Sequence, residues 1–220
     1  MRKMFLGIVV GLFGGLAGFS ASGEPLTIAA MGDSLTQGYG LAQKDGFVAQ
    51  LSDWLLDQGA GVTLINAGVS GDTSAGGAAR VGWTLTPEVD AMIVTFGGND
   101  ILRGIAPEVA RANIETILQA AQAAKVKVLL IGLSAPGNYG AEYQSAFNAI
   151  YPELAAKYDA GYAQNFLSGI LDADGRVNLN LMQRDAIHPN ATGVARIVST
   201  IGPHVLTLIE RTGEGTGTGG

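Results

Sequence analysis

The strongest indication of the fold is the stretch Gly32-Asp33-Ser34-Leu35-Thr36-Gln37-Gly38-Tyr39-Gly40. An apolar run from Leu26 to Met31 leads directly into it and contains β-branched residues, which predicts a buried strand. Because this strand stops at a glycine, we expect Ser34 on a sharp turn past a strand end, where open α/β sheets present ligands. A serine at such a turn is a candidate nucleophile if a neighbouring group can take its proton.

Predicted strands and helices alternate along the rest of the chain. The strands are expected at 26–31, 62–67, 91–96, 127–132 and, as a short strand, 161–166. The helices are expected at 47–58, 74–81, 107–124, 141–158 and 190–209, the last one interrupted or bent at Gly202-Pro203. We expect the strand at 62–67 to be buried, like the first. The alternation predicts a parallel sheet with helices on both faces, in one domain that spans residues 24–211.

The amino-acid composition argues against several kinds of binding partner and reactive site. The 220 residues carry a formal net charge of −6 and 15% charged side chains, without a basic stripe, so we expect no nucleic-acid partner. The chain contains no cysteine, which excludes disulfides, a thiol nucleophile and a zinc–thiolate site. The sequence implies no cofactor and no metal, and it leaves the oligomeric state open.

Both ends of the chain look unlike the middle. The basic start Met1-Arg2-Lys3, the 16 apolar residues from Met4 to Phe19 and the small residues after them are typical of a secretory signal peptide, residues 1–23. A membrane anchor is the alternative, but this apolar stretch is shorter than the roughly 20 residues that span a bilayer. We therefore expect cleavage after Ala21 or Gly23, a periplasmic or secreted protein and no stable membrane anchor. The Gly/Thr-rich tail, 212–220, is expected to be disordered.

Three predicted strands end in small polar loops, which are Gly32-Asp33-Ser34, Gly71-Asp72-Thr73 and Gly97-Gly98-Asn99-Asp100. The carboxyl ends of parallel strands lie on one edge of a sheet, so we expect these loops to converge. Backbone N–H groups freed by glycine, together with an amide side chain, are what a developing oxyanion requires. Ordinary turn formation explains any one of the loops equally well, and only their coincidence favours a site.

A candidate base for Ser34 comes from the segment Asp185-Ala186-Ile187-His188-Pro189. If His188 opens the last helix with Pro189 in its first turn, both Asp185 and His188 can point toward the sheet edge. The carboxylate would then fix the imidazole tautomer, and the other ring nitrogen would accept the serine proton. Alternatively, Asp185 is only a capping residue. The second histidine, His204, has no neighbouring acid and is interpreted as a surface or packing residue.

These blocks resemble the GDSL, or SGNH, hydrolase family, and the resemblance extends from Leu26 to about Ile209. The blocks that carry it are Gly32-Asp33-Ser34-Leu35, Gly71-Asp72-Thr73-Ser74, Gly98-Asn99-Asp100 and Asp185 to Pro189, in that order. The classical nucleophile elbow Gly-x-Ser-x-Gly is absent, which disfavours the α/β-hydrolase fold. The resemblance implies a three-layer α/β/α fold with a parallel, flavodoxin-like central sheet.

The resemblance also implies roles for individual residues. Ser34 would be the nucleophile, His188 the base and Asp185 the group that orients it. The N–H groups of Ser34 and Gly71, with the Asn99 amide, would form the oxyanion hole. Within the family, the chain is most similar to secreted bacterial thioesterases, lysophospholipases and arylesterases, through the segments 98–104, 138–140 and 182–185. The implied substrate is a small acyl or aryl ester.

Two other functions are compatible with the residues alone. Asp33, Asp72 and Asp100 also follow parallel strands, so they could hold Mg²⁺ in a metal-dependent phosphohydrolase. The glycine loops could instead grip an anionic ligand in an exported binding protein without catalysis. Apolar residues near the predicted site, Leu35, Ile101 and Leu102, could line an acyl pocket or belong to the core.

Overall fold

One parallel sheet organises the computed structural model, which describes residues 25–216. Its strands are β1 (Thr27–Gly32), β2 (Thr63–Gly68), β3 (Ala91–Thr95), β4 (Lys127–Ile131) and β5 (Gly161–Ala163). The spatial order is β2-β1-β3-β4-β5, and every neighbouring pair is parallel. This is the flavodoxin-like order expected from the sequence. The predicted signal peptide, residues 1–23, lies outside the described residues.

Helices cover both faces of the sheet. They are α1 (Ser34–Gln37), α2 (Phe47–Asp57), α3 (Ser74–Thr84), α4 (Gly98–Leu102), α5 (Pro107–Ala123), α6 (Ala141–Lys157) and α7 (Ala191–Thr216). Helices α2 and α7 pack together on one face, while α3, α5 and α6 form a layer on the other. The predicted three-layer α/β/α fold is therefore confirmed. The two short helices α1 and α4 were not predicted, because four or five residues are too few to show a helical period.

The sheet is buried at its centre and open at one edge. Every residue of β3 is buried, and so is β1 after its first residue. The prediction that the strand at 62–67 is buried is wrong, since Thr63, Ile65 and Asn66 in β2 are exposed. Its apolar residues resemble those of a central strand, but β2 has only β1 as a neighbour. Position in the sheet, which the strand's own residues do not specify, decides its burial.

Helix α7 is longer than the sequence predicts. It continues through Gly202 and Pro203 without a break and ends at Thr216, so it includes the first five residues of the tail that the sequence predicts to be disordered. Thr212 is buried and its hydroxyl donates to the Leu208 carbonyl. Within the described part of the chain, α7 alone has the length and hydropathy of a membrane-crossing helix. Its apolar residues pack against α2 and the sheet, so this composition reflects a core helix.

We predict that Gly202→Ala destabilises the protein although alanine favours helices. A β-carbon at position 202 would lie 2.4 Å from the Trp54 ring, where α2 and α7 pack closely. The expected loss of unfolding free energy, measured by urea denaturation, is about 1–3 kcal/mol, the usual cost of overpacking. The matched control is Gly82→Ala in α3, where a β-carbon meets nothing within 4 Å. The control should gain up to about 1 kcal/mol from helix propensity, and equal gains in both variants would contradict the packing argument.

Candidate active site

The register of the sheet brings the three polar loops to one level. Gly32, the last residue of β1, pairs with Gly68 at the end of β2 and with Thr95 at the end of β3. The loops that begin after these residues therefore start side by side. A β-carbon at position 32 would collide with the Thr36 hydroxyl and the Thr95 carbonyl, so this close approach requires glycine. The predicted convergence of the loops is confirmed for their starting points.

Asp33 and Ser34 form the turn between β1 and α1. The Asp33 carboxylate caps α1 by accepting a hydrogen bond from Leu35 N, at 3.0 Å. Ser34 is the first residue of that short helix, which ends at Gly38 with a left-handed φ of 86°. The side chain of Ser34 consequently emerges at the carboxyl edge of the sheet, beside a cavity that it helps to line.

His188 reaches this serine from the distant end of the chain. Its Nε2 lies 2.9 Å from Ser34 Oγ, and its Nδ1 lies 2.7 Å from Asp185 Oδ2. The three side chains thus form one continuous hydrogen-bonded chain. The histidine side chain is 15% exposed, whereas that of Asp185 is 35% exposed. Among the described residues, His204 lies exposed on α7, as the sequence suggests, and takes no part in this arrangement.

A tight turn, rather than the last helix, positions the histidine. Helix α7 begins at Ala191 and is capped by Asn190, whose side chain accepts from Gly193 N. The condition considered from the sequence, that His188 opens this helix, is therefore not met. The turn is closed instead by a hydrogen bond from Gln183 N to the His188 carbonyl, with Ala186 in a left-handed conformation at φ 56°.

Asp185 serves both as a cap and as a partner of the imidazole. Its Oδ1 accepts from the N–H groups of Ile187 and His188, while Oδ2 faces the imidazole. The hydrogen bond to the His188 side chain, followed by the backbone bonds, lowers the pKa of Asp185 to about 2. The Asp185 carboxylate is therefore ionised throughout the weakly acidic and neutral pH range. Asp185 is therefore not only a capping residue, since it contacts the imidazole as well as the backbone of the turn.

A cavity of about 440 Å³ opens beside Ser34 and His188. Its apolar lining residues are Leu35, Ile101, Leu102, Leu133, Ala135, Pro136, Leu167, Leu171, Val177 and Ile187. The long segment 167–189 builds one wall and contains two 3₁₀ turns, Ser168–Ile170 and Leu179–Leu181. Of the three apolar residues that the sequence assigned either to an acyl pocket or to the core, all line the cavity: Leu35 is half-buried, Leu102 is exposed and Ile101 is buried.

Two of the predicted oxyanion donors, Asn99 and Gly71, differ in their position relative to the cavity. Asn99 lines the same cavity as Ser34, and its Nδ2 donates to Asp33 Oδ2 at 3.3 Å. Gly71 does not line this cavity; it lies in the adjoining turn with φ 84°, and its carbonyl accepts from Arg103 Nη2 at 2.8 Å. The Gly71 N–H donates no hydrogen bond to any residue the structure describes, which leaves it available to a ligand.

The three aspartates that suggested a metal site are each held by protein groups. Asp33 accepts from Leu35 N and Asn99, and Asp72 pairs with Arg80 at 2.7 Å. Asp100 is fully buried and accepts from both the N–H and the hydroxyl of Ser74. Across residues 25–216, no group of three histidine, cysteine or acidic side chains is arranged to hold a metal ion. Their chemistry is that of structural hydrogen bonding.

Sequence reasoning missed two residues around the histidine. The Tyr39 ring lies 4.7 Å from the imidazole, centroid to centroid, and covers one side of it. Gln183 Nε2 donates to the carbonyls of Tyr39 and Pro189, which ties the turn after α1 to the turn that carries His188. The contacts of Tyr39 with His188 and with Gln183 each join residues more than 140 positions apart, so no local pattern could have revealed them. Only the hydrogen bond from Gln183 to Pro189 is local.

Asp33 makes stability depend on pH. Burial is the main cause that raises its pKa to about 6, against the opposing hydrogen bonds from Leu35 and Asn99. A raised folded-state pKa means that Asp33 ionises first in the unfolded chain. The contribution of Asp33 to stability is therefore greatest below about pH 4, falls as the pH rises, and levels off above about pH 6. Relative to Asp33→Asn, we expect the wild type to lose up to about 3 kcal/mol of unfolding free energy between pH 4 and 7.5. Urea denaturation of both proteins measures this, and parallel pH profiles would contradict it.

Comparisons with known proteins identify the family of this chain. The chain is 38% identical to the esterase TesA of Pseudomonas aeruginosa over 184 residues, which cover 83% of this chain and 89% of TesA. It is 36% identical to thioesterase 1/protease 1/lysophospholipase L1 of Escherichia coli K12 over 165 residues, 74% of this chain and 76% of that protein. The crystal structure of AlinE4, an SGNH-hydrolase family esterase, superposes with a TM-score of 0.69 at 43% identity, covering 84% of this chain and 97% of AlinE4. The model of the GDSL-like Lipase/Acylhydrolase family matches residues 30–196, and the chain belongs to that family.

Proposed function

We infer that this protein is a serine hydrolase that cleaves carboxylic esters through an acyl-enzyme on Ser34. The observation that carries this inference is the continuous chain from Ser34 Oγ through His188 to Asp185, with contacts of 2.9 and 2.7 Å. A hydroxyl paired with an imidazole, itself oriented by a carboxylate, is the arrangement that makes a serine nucleophilic. Family membership agrees with it.

The first half of the reaction forms the acyl-enzyme. Ser34 Oγ attacks the ester carbonyl carbon while His188 Nε2 takes the hydroxyl proton. The ionised Asp185 stabilises the resulting imidazolium and keeps Nδ1 protonated throughout. When the tetrahedral intermediate collapses, the C–O bond to the alcohol breaks and the imidazolium protonates the departing oxygen.

The second half of the reaction uses the same groups on water. His188 takes a proton from a water molecule, which attacks the acyl carbon, and the imidazolium then returns that proton to Ser34 Oγ. The acid leaves and the free enzyme is restored. In both halves, we assign the oxyanion to the N–H groups of Ser34 and Gly71 and to Asn99 Nδ2. The unpaired Gly71 N–H and the position of Asn99 on the cavity wall support this assignment.

The cavity indicates where the substrate binds. Its lining is mostly aliphatic, and its volume of about 440 Å³ is within the usual range for small-molecule sites. We propose that the acyl or aryl group occupies this space, with Leu102 and Ile187 at its partly exposed rim. Relatives named as a thioesterase and lysophospholipase extend the proposed substrates to thioesters and lysophospholipids.

Substitution of the nucleophile and of one oxyanion donor tests the mechanism. We expect Ser34→Ala to abolish hydrolysis of p-nitrophenyl esters and the covalent labelling by a serine-directed phosphonate that wild type shows. We expect Asn99→Ala to lower kcat by about 10²–10³, the usual cost of one oxyanion donor. The control is Gln119→Ala, an exposed amide on α5 that donates to Tyr158.

Two outcomes would contradict the proposed function. Substantial ester hydrolysis by Ser34→Ala would exclude the acyl-enzyme. Ligand binding by wild type without any ester turnover would favour the binding protein considered above. Activity of Asn99→Ala within a few-fold of wild type would remove only that residue from the oxyanion hole.

We also propose that the hydrolase domain, residues 24–211, is exported to the periplasm or beyond after removal of residues 1–23. The basic, apolar and small-residue segments of the N-terminus support this proposal. Expression of the full chain in a Gram-negative host should yield a periplasmic protein whose N-terminal residue is Ser22 or Glu24. N-terminal sequencing measures this, and a cytoplasmic protein that retains residues 4–19 would contradict it.

A further inference from the structure

Arg80, midway along α3, is a residue that this mechanism does not use. Its guanidinium group donates hydrogen bonds to three separate segments: Nε to Asp72 Oδ2 at 2.7 Å, Nη1 to Ala67 O at 2.8 Å and Nη2 to Gly32 O at 3.0 Å. The side chain is only 22% exposed, and its guanidinium carbon lies 5.7 Å from the centre of the Phe96 ring. It is therefore held in one geometry by packing as well as by hydrogen bonds.

The three acceptors lie next to the groups that perform the proposed chemistry. Gly32 ends β1 two residues before Ser34, and Ala67 is the second-to-last residue of β2. Asp72 directly follows Gly71, the proposed oxyanion donor. One cation thus joins the turn that carries the nucleophile to the turn that carries the Gly71 N–H. Val69 N also donates to the Gly32 carbonyl at 3.0 Å, so the guanidinium group adds a second link to a direct backbone hydrogen bond between these segments. Of the two links, the guanidinium is the one that also holds Asp72, next to Gly71.

The fit around Asp72 is close. A β-carbon at Gly76 would lie 2.6 Å from Asp72 Oδ1, so the first turns of α3 leave just enough room for the carboxylate. A planar fork with donors in three directions can meet two carbonyls and a carboxylate together, whereas a lysine ammonium is a point charge on a flexible stem. Charge alone would hold Asp72 without fixing all three acceptors.

We propose that Arg80 is a positioning residue that sets the oxyanion hole by holding the Gly71 turn against the Ser34 turn. This proposal rests on the proposed function, because it needs the Gly71 N–H to bind the oxyanion. Misplacement by about 1 Å can cost on the order of 100-fold in rate. Loss of the fork should therefore weaken binding of the transition state and leave binding of the ester substrate nearly unchanged.

The test compares Arg80→Lys with Arg211→Lys. Arg211 is a matched control, because its guanidinium also bonds a carboxylate and a backbone carbonyl, both of Asp159, with a side chain that is 28% exposed. Asp159 precedes β5, so this pair lies at the opposite end of the sheet. We expect kcat of Arg80→Lys on a p-nitrophenyl ester to fall about 10- to 100-fold, with KM within about threefold of wild type. Arg211→Lys should keep the wild-type kcat.

A second readout separates positioning from general destabilisation. Phenylboronic acid forms a tetrahedral adduct on an active serine, with an oxygen in the oxyanion hole. Its inhibition constant should rise in Arg80→Lys by about the factor that kcat/KM falls, while the melting temperatures of the two lysine variants drop by similar amounts. Asp72→Asn, which breaks the same contact from its other side, should show the same kinetic signature and should add little to Arg80→Lys in the double variant.

Several results would overturn the proposal. These are a kcat of Arg80→Lys within twofold of wild type, a loss confined to KM, or unchanged inhibition by the boronic acid. If Arg80→Lys does not fold, the kcat, the KM and the boronic acid inhibition of Asp72→Asn test the proposal in its place. Ser34→Ala distinguishes failure of the proposed function from failure of the proposed role of Arg80. If Ser34→Ala is inactive while Arg80→Lys is unaffected, the proposed function stands and only the role of Arg80 fails. If Ser34→Ala remains active, the proposed function itself fails.

Discussion

The pairing of β1 with a strand on each side is the constraint on which the site depends. Gly32 is level with Gly68 on one side and with Thr95 on the other, so three loops leave the sheet at the same height. The nucleophile, the Gly71 turn and Asn99 follow from that register, although they are up to 65 positions apart in the sequence. A slip of one residue in either pairing would turn each side chain to the other face of the sheet. Because both faces of β1 and β3 are buried, close packing fixes this register: the space at Gly32, between the Thr36 side chain and the Thr95 carbonyl, has no room for a β-carbon.

Convergence of three polar loops creates a demand for hydrogen bonds, which polar side chains beneath the site satisfy. The buried Asp100 ties α4 to the start of α3 through Ser74, and Asn113 of α5 donates to the same serine. Arg80 donates to the strand-end carbonyls of Ala67 and Gly32, the second of which also accepts from Val69 N. Most polar groups in the layer under the proposed catalytic groups are therefore paired, while the buried hydroxyls of Thr36 and Thr95 have no hydrogen-bond partner among the described residues. The paired groups hold the loops in the fixed geometry that a preorganised site requires.

The pKa values of the two carboxylates near the imidazole are shifted in opposite directions, because their surroundings differ. Asp33 is buried, and loss of solvent raises its pKa despite two hydrogen bonds. Asp185 is largely solvated and accepts from the imidazole and two backbone N–H groups, so its pKa is lowered. The carboxylate that must stay charged beside the base is thus the one that water and donors surround. The buried one instead caps α1 and holds Asn99.

Local patterns of residues were sufficient to predict the strand–helix alternation. Short stretches such as Gly32-Asp33-Ser34 and Asp185 to His188 were sufficient to propose a nucleophile and an acid–base pair, because each of these roles needs only a few residues that are close together in the chain. Local pattern could not show that β2 is an exposed edge strand, that α7 continues through Thr216, or that a turn rather than a helix presents His188. Nor could it show that Arg80 joins three segments or that Tyr39 covers the imidazole. Those features depend on which neighbours the fold brings to a residue, and contacts between distant positions leave no period or motif in the chain.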